Sequence, residues 1–155
     1  MKQFTCLILL VLVGISFGAW QTEVVDDAWY SGQYTSIALD SNGYPHIAYQ
    51  HYDYVDGRKA MYARWDGSAW QIESVLGPSP SIGAYTSLAL DSSDKPHIVC
   101  YDDTNCSLMY ARWNGSSWQI ETIEDSTGAG HHSSITIDSS DYRLPSHFLY
   151  GWREL

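Results

Sequence analysis

The sequence predicts an all-β chain of propeller-type blades, each a sheet of four antiparallel strands, with about two and a half blades present and the ring incomplete. Three observations carry that expectation. The line "MYARWDGSAWQIESV" from Met61 returns as "MYARWNGSSWQIETI" from Met109. The line "YTSIALDSNGYPHIAY" from Tyr34 returns as "YTSLALDSSDKPHIVC" from Tyr85 and, shortened, as "HSSITIDSSDY" from His132. Trp20, Trp70 and Trp118 each head the same "WQ" phrase, at steps of about 50 residues, within the range of propeller blades and similar arrays.

Each unit holds short runs rich in Ile, Val, Tyr and Trp, broken by Gly, Pro, Asp, Asn and Ser, which is the pattern of successive strands. In the first complete unit these are "TSIALD", "PHIAYQ", "AMYARW" and "WQIESV", strands A to D. Both alternating positions are often apolar, with Ile37 and Leu39 on one face of strand A and Ala38 on the other, as suits a sheet covered on both sides. "DSNGYP" joins A to B and "DGSA" joins C to D, both short turns of the kind that close hairpins. The B-to-C stretch "HYDYVDGRK" and the D-to-A stretch "VDDAWYSGQY" are longer and vary between copies. Tight turns are therefore expected on one rim and long loops on the other.

Two features bear on completeness. "WQTEVV" at Trp20 reads as a strand D without its own A, B and C, the arrangement of a ring closed by permutation. After Asp141 the repeat gives way to "YRLPSHFLYGWREL". The expectation is a truncated or frame-shifted fragment of a longer propeller, with self-association to complete the ring as the alternative, because an unpaired sheet edge seeks a partner.

Residues 1–18 read as a secretory signal peptide: Lys2 precedes the apolar run "CLILLVLVGISFG", which is too short to span a bilayer and ends in small residues. Cleavage is expected after Gly18, with Ala19 as the second choice, leaving residues 19–155 as the partial propeller in a secreted or extracytoplasmic compartment. Of three cysteines in the chain, Cys6 leaves with the signal. Cys100 and Cys106 flank "YDDTN", and a hairpin register that set them opposite each other would bring them within disulfide range. A disulfide between them is the expectation, with two free thiols the alternative. Two cysteines do not complete a tetrahedral metal site and no His stands at finger-like spacing, so no metal or other cofactor is expected.

Eight basic against 18 acidic residues give a net charge of −10, which argues against nucleic acid and anionic membrane surfaces as partners. No membrane association is expected once the signal is removed.

The phrase "TSLALDSSDKPHIVCYDDTNCSLMYARWNGSSWQIETI" resembles the repeats of secreted bacterial sialidase-like, or BNR-like, propellers, over nearly the whole of the chain after the signal. That resemblance implies fold and export. The sialidase Asp box is not matched, since Asp40 and Gly43 stand one residue further apart and the second copy has Asp94 in place of glycine. A sialidase needs converging arginines and an acidic pair. Arg64 with Arg112, and Glu73 with Glu121, instead recur once per unit as framework positions, so no catalytic residue is assigned. The chain alone reads as a non-enzyme, with a fragment of a sialidase-like hydrolase as the alternative.

"RWDGSAW" and "RWNGSSW" are similar to the turn of small fucose-binding propeller lectins, some of which assemble rings from two-blade chains. This weaker resemblance implies a scaffold and a mode of assembly. The lectin's sugar-binding Arg aligns with Ala48 and Val99, and its Glu with Tyr62 and Tyr110.

Recurrence assigns Trp65, Trp70, Trp113 and Trp118 to core or inter-blade packing, and His46 and His97 to the framework. Asp40, Asp91 and Asp138 are expected to accept backbone N–H bonds inside their turns, which lack the dense oxygen array of a calcium site. Ligand binding is expected where the copies differ, on the rim of long loops, at Trp29, Tyr30, His51, Tyr52, Tyr54, His131 and His132, with Asp26, Asp27, Asp53 and Asp103 beside the rings. Aromatic faces there could stack on sugars. The function expected is therefore an exported binding module for a carbohydrate or cell-surface partner.

Overall fold

The computed structural model describes residues 22–79, 81–126 and 129–148 and is all-β. Residues 1–18, read above as a signal peptide, lie outside that range, as do Trp20 and the last seven residues. The first sheet runs β1 (Ser31–Leu39), β2 (Pro45–Asp53), β3 (Gly57–Trp65) and β4 (Trp70–Ser79) in sequence order. The second repeats it as β5 (Ile82–Leu90), β6 (Pro96–Asp102), β7 (Ser107–Trp113) and β8 (Trp118–Glu124). A two-stranded sheet follows, β9 (His131–Ile137) with β10 (Arg143–Phe148). All pairings are antiparallel, and the two complete sheets are not closed into a barrel. These are partial-propeller blades, and the D strands begin at Trp70 and Trp118 as the repeat predicts.

The A-to-B turns are built alike in all three sheets. Asp40 Oδ1 accepts the N–H groups of Asn42 and Tyr44, Asp91 those of Ser93 and Lys95, and Asp138 those of Ser140 and Tyr142. Because the turn is set by its own aspartate, β10 pairs in the same register as its counterparts. Arg143 stands opposite Ile137 as Pro45 does opposite Leu39 and Pro96 opposite Leu90, although the sequence repeat has already faded.

The core lies between sheets rather than within one. Ala48, Ala60 and Tyr62 of the first blade pack with Leu88, Ile98, Cys100 and Ala111 of the second. Val99, Leu108 and Tyr110 of the second pack with Ala129 and Ile135 of the third unit. Ile37, Leu88 and Ile135 are equivalent, yet Leu88 and Ile135 are each 6% exposed against 64% for Ile37, which has no described blade in front of it.

Each strand A opens with a glycine at positive φ: Gly32 at 91°, Gly83 at 88° and Gly130 at 90°. A Cβ on Gly83 would come within 3.1 Å of the Lys59 carbonyl oxygen, and one on Gly130 within 3.2 Å of the Leu108 Cα. Glycine thus serves both the backbone angle and the close approach of one blade's strand A to the strand C before it.

Three expectations are corrected. The rim assigned long loops carries short ones, because strands grow into them: only residues 54–56 separate β2 from β3, and 80–81 separate β4 from β5. Residues 22–24 of "WQTEVV" form no strand, although Glu23 Oε1 accepts a hydrogen bond from Trp70 Nε1 at 3.0 Å. The cysteines are not paired. Cys100 stands opposite Met109 and Cys106 precedes β7, so the register that would bridge them is absent and both thiols are free.

Candidate functional site

Strand alternation turns Tyr62 and Arg64 of β3 toward the next blade. The register sets Glu73 opposite Tyr62 and Gln71 opposite Arg64 on β4, with Ala48 and His46 their partners on β2. His46, Tyr62, Arg64, Gln71 and Glu73 thus share the end of one sheet face near the tight turns. The second blade supplies the facing wall: Asp94, Lys95 and Pro96 from its A-to-B turn, Trp113 and Gly115 from its C-to-D turn. Trp65 and Asp66 complete a cleft of about 700 Å³ between the two blades.

The inner end of the cleft is held rigid. His46 Nδ1 is bonded to the Tyr62 hydroxyl, and His46 Nε2 lies 3.8 Å from Asp40. Burial lowers the histidine pKa and raises that of Tyr62, which favours a neutral imidazole beside a protonated phenol. The link recurs as His97 Nδ1 to Tyr110 Oη at 2.6 Å, with Asp91 at 3.6 Å. Each ties an A-to-B turn to strand C.

The mouth is aromatic and polar. Trp65 packs edge-on to Trp70 with centroids 5.7 Å apart, and Trp113 to Trp118 at 5.6 Å. Asp66 Oδ1 accepts the Ser68 hydroxyl and the N–H groups of Ala69 and Ser68, which hold its carboxyl well below the usual range. Arg64 and Glu73, by contrast, are exposed and make no hydrogen bond or ion pair with the described residues. Trp118 reaches across to Tyr62, centroids 5.3 Å apart, and its buried Nε1 has no partner among the described residues. These are groups with bonding capacity to spare beside flat apolar surfaces.

A second cleft repeats the arrangement one unit on, between the second blade and β9–β10. His97, Tyr110, Arg112 and Glu121 stand where His46, Tyr62, Arg64 and Glu73 stand in the first, and Asp141, Tyr142 and Arg143 face them as Asp94, Lys95 and Pro96 do. It is smaller, about 250 Å³.

The rim expected to bind ligand gathers two aromatic groups instead. Tyr30, Tyr52 and Tyr54 meet edge-on at 5.1–6.1 Å, with Tyr54 donating to the Tyr30 hydroxyl at 2.9 Å and Arg58 lying over Tyr52. Trp29 is nearby in sequence and 84% exposed. His51 is bonded to Ser31 at 2.7 Å, inside the strand pairing. Far from these in sequence, His131 packs on Tyr101 at 4.3 Å and His132 on Tyr85 at 4.6 Å. Of the flanking acids, Asp26 accepts from Tyr49 and Ser31, and Asp53 closes its turn by accepting from Val55. Tyr30, Tyr52 and Tyr54 come together; His131 and His132 belong to another patch.

The residues of the cleft between blades were assigned to framework because they recur. A cleft between repeated blades recurs with them, and the placing of Tyr62 and Arg64 on one strand face was the available signal.

No family model matches the chain, and no curated protein is similar to it by sequence. Among solved structures the chain is similar to a fucose lectin from Kordia zhangzhouensis determined in complex with methyl-fucoside, with a TM-score of 0.54 and 21% identity over 76% of this chain and 85% of that one. The similarity is one of fold. It supports the arrangement of four-stranded blades and gives the sialidase-like resemblance no support.

Proposed function

We propose that the chain is an exported β-propeller module that binds glycans in the cleft between its blades. The observation that carries this reading is the pairing of two charged groups that make no hydrogen bond or ion pair with the described residues, Arg64 and Glu73, with the half-buried indoles Trp65 and Trp113 in one cleft. A guanidinium donates to sugar hydroxyls, a carboxylate accepts from them, and an indole face covers the C–H surface of a pyranose. The fold shared with a fucose-binding lectin supports a sugar as the ligand. Fucose itself is less favoured than the class, because Ala48 and Tyr62 occupy the positions where the lectin pattern has Arg and Glu. The cleft also collects a single arginine, Arg64, which suits recognition of hydroxyls better than of a sugar carboxylate.

The test is ligand-detected NMR against methyl fucoside, galactoside, glucoside and mannoside. Binding should be lost in Arg64→Ala and Glu73→Gln and kept in Trp29→Ala and Tyr52→Ala. Loss in the latter pair alone would return the site to the opposite rim.

A further inference from the structure

The second cleft differs from the first in what stands at its centre. Where the first blade's face meets Pro96, the second meets Arg143. The Arg143 guanidinium lies over the Tyr110 ring, 4.1 Å from its centroid, and forms an ion pair with the Glu121 carboxylate. Glu121 is the counterpart of Glu73, which the first cleft leaves without such a partner. Arg112, the counterpart of Arg64, remains exposed and makes no hydrogen bond or ion pair with the described residues.

We infer that the cleft between the second blade and β9–β10 is a second glycan-binding site of the same kind, closed by the chain's own Arg143. This rests on the glycan reading of the first cleft. Three of its polar elements are in place: the His97–Tyr110 link, Arg112 and Glu121. The carboxylate that a sugar hydroxyl would use is taken by an internal cation, and the cation covers the aromatic surface beside it. An incoming neutral sugar must displace a charge-assisted contact, which costs it most of the affinity available from hydroxyl bonds. The second cleft is also the smaller, about 250 Å³ against about 700 Å³, and no described residue lines it where Trp113 and Gly115 wall the first, so the opened site should be the weaker of the two.

The repeat itself supplies the substitution. Proline occupies the equivalent position in both preceding units, opposite Leu39 and Leu90, so Arg143→Pro keeps a residue that this first position of strand B accepts. With the methyl glycoside panel, wild type should show one site and Arg143→Pro two, the second several-fold weaker. Arg64→Ala/Arg143→Pro should keep one site while Arg64→Ala alone keeps none. Arg143→Ala serves as a second opening variant should proline disturb β10. One site in wild type and still one in Arg143→Pro, with a lower melting temperature, would make Arg143 a packing partner for Tyr110 and overturn this inference alone. A silent wild type beside a binding Arg64→Ala/Arg143→Pro would overturn the first-cleft reading and support this one. Silence of every protein toward the whole panel overturns both.

Discussion

The Asp94 carboxylate reaches across the gap between blades and accepts two hydrogen bonds from Ser41, from its backbone N–H at 2.9 Å and from its hydroxyl at 2.6 Å. Asp141 does the same to Ser92 at 2.8 and 2.7 Å. The equivalent position in the first blade is Gly43, which has no side chain to offer. Asp94→Asn keeps a residue tolerant of the local φ of 60° but turns one acceptor into a donor facing Ser41. It should lower stability by about 1 kcal/mol, read as a shift in urea midpoint without a change in m. An unchanged midpoint would show the staple to be idle.

The two buried histidines make stability depend on mild acid. Burial holds the pKa of His46 and His97 below the ordinary value near 6.5. As pH falls through 6.5 the unfolded chain takes up protons that the folded one refuses, so stability is fully present above that value and declines as pH drops toward the lower folded pKa. Chemical denaturation at pH 7.5, 6.5 and 5.5 should show a falling midpoint, and the double substitution His46→Gln/His97→Gln should flatten the profile over that window. An equal slope in both proteins would assign the effect elsewhere.

Gly83 and Gly32 share a backbone angle but not a setting. An added Cβ strains either one, whereas only at Gly83 does it meet the Lys59 carbonyl and the Ala60 backbone, at 3.1–3.2 Å; at Gly32 it meets nothing within 4 Å. Gly32→Ala should cost about 1 kcal/mol from the backbone term. Gly83→Ala should cost more, about 2–4 kcal/mol, because two blades must move apart. Thermal melts of the two variants compare them directly, and equal losses would mean that the blades are not in close contact there.

The thiols should behave differently from each other. Cys100 is fully buried, and burial pushes its pKa up to about 12, while Cys106 is half-exposed at the end of its turn. In protein lacking residues 1–18, and with them Cys6, iodoacetamide should add one group to the native fold at Cys106 and reach Cys100 only after unfolding. Intact mass should not change by two hydrogens on reduction. Such a change in natively prepared protein would restore the bridge.

Much of the architecture could be read directly from the residues. Asp40, Asp91 and Asp138 announce their turns because an aspartate two residues before a backbone N–H closes an Asx turn with little help from elsewhere, and Trp70 and Trp118 mark the start of strand D after such turns. The staple was not legible. Ser41 and Asp94 are joined only once two blades stack with a particular offset, and no local pattern states that offset. The disulfide failed for a related reason: flanking a turn does not make two residues opposite, and the four-residue turn between β6 and β7 sets Cys100 against Met109. The long loops vanished because Gln50, His51 and Tyr52, polar and aromatic as they are, continue β2 by pairing with Ala60, Lys59 and Arg58. The cleft residues were all visible as recurring letters, and what hid them was the assumption that recurrence marks scaffold.

The serine and the aspartate of the staple sit in the same turn, Ser92 facing forward and Asp94 facing back. A gene segment that encodes one such unit therefore carries both halves of the joint by which units attach. Tandem duplication lengthens the array without any new complementarity having to arise by mutation, and the copy is competent to receive another. Gly43 breaks that grammar at one point, so a unit placed ahead of the first blade would attach without this staple. Changing that single codon to aspartate is the smallest edit that would make the first blade a receiving one.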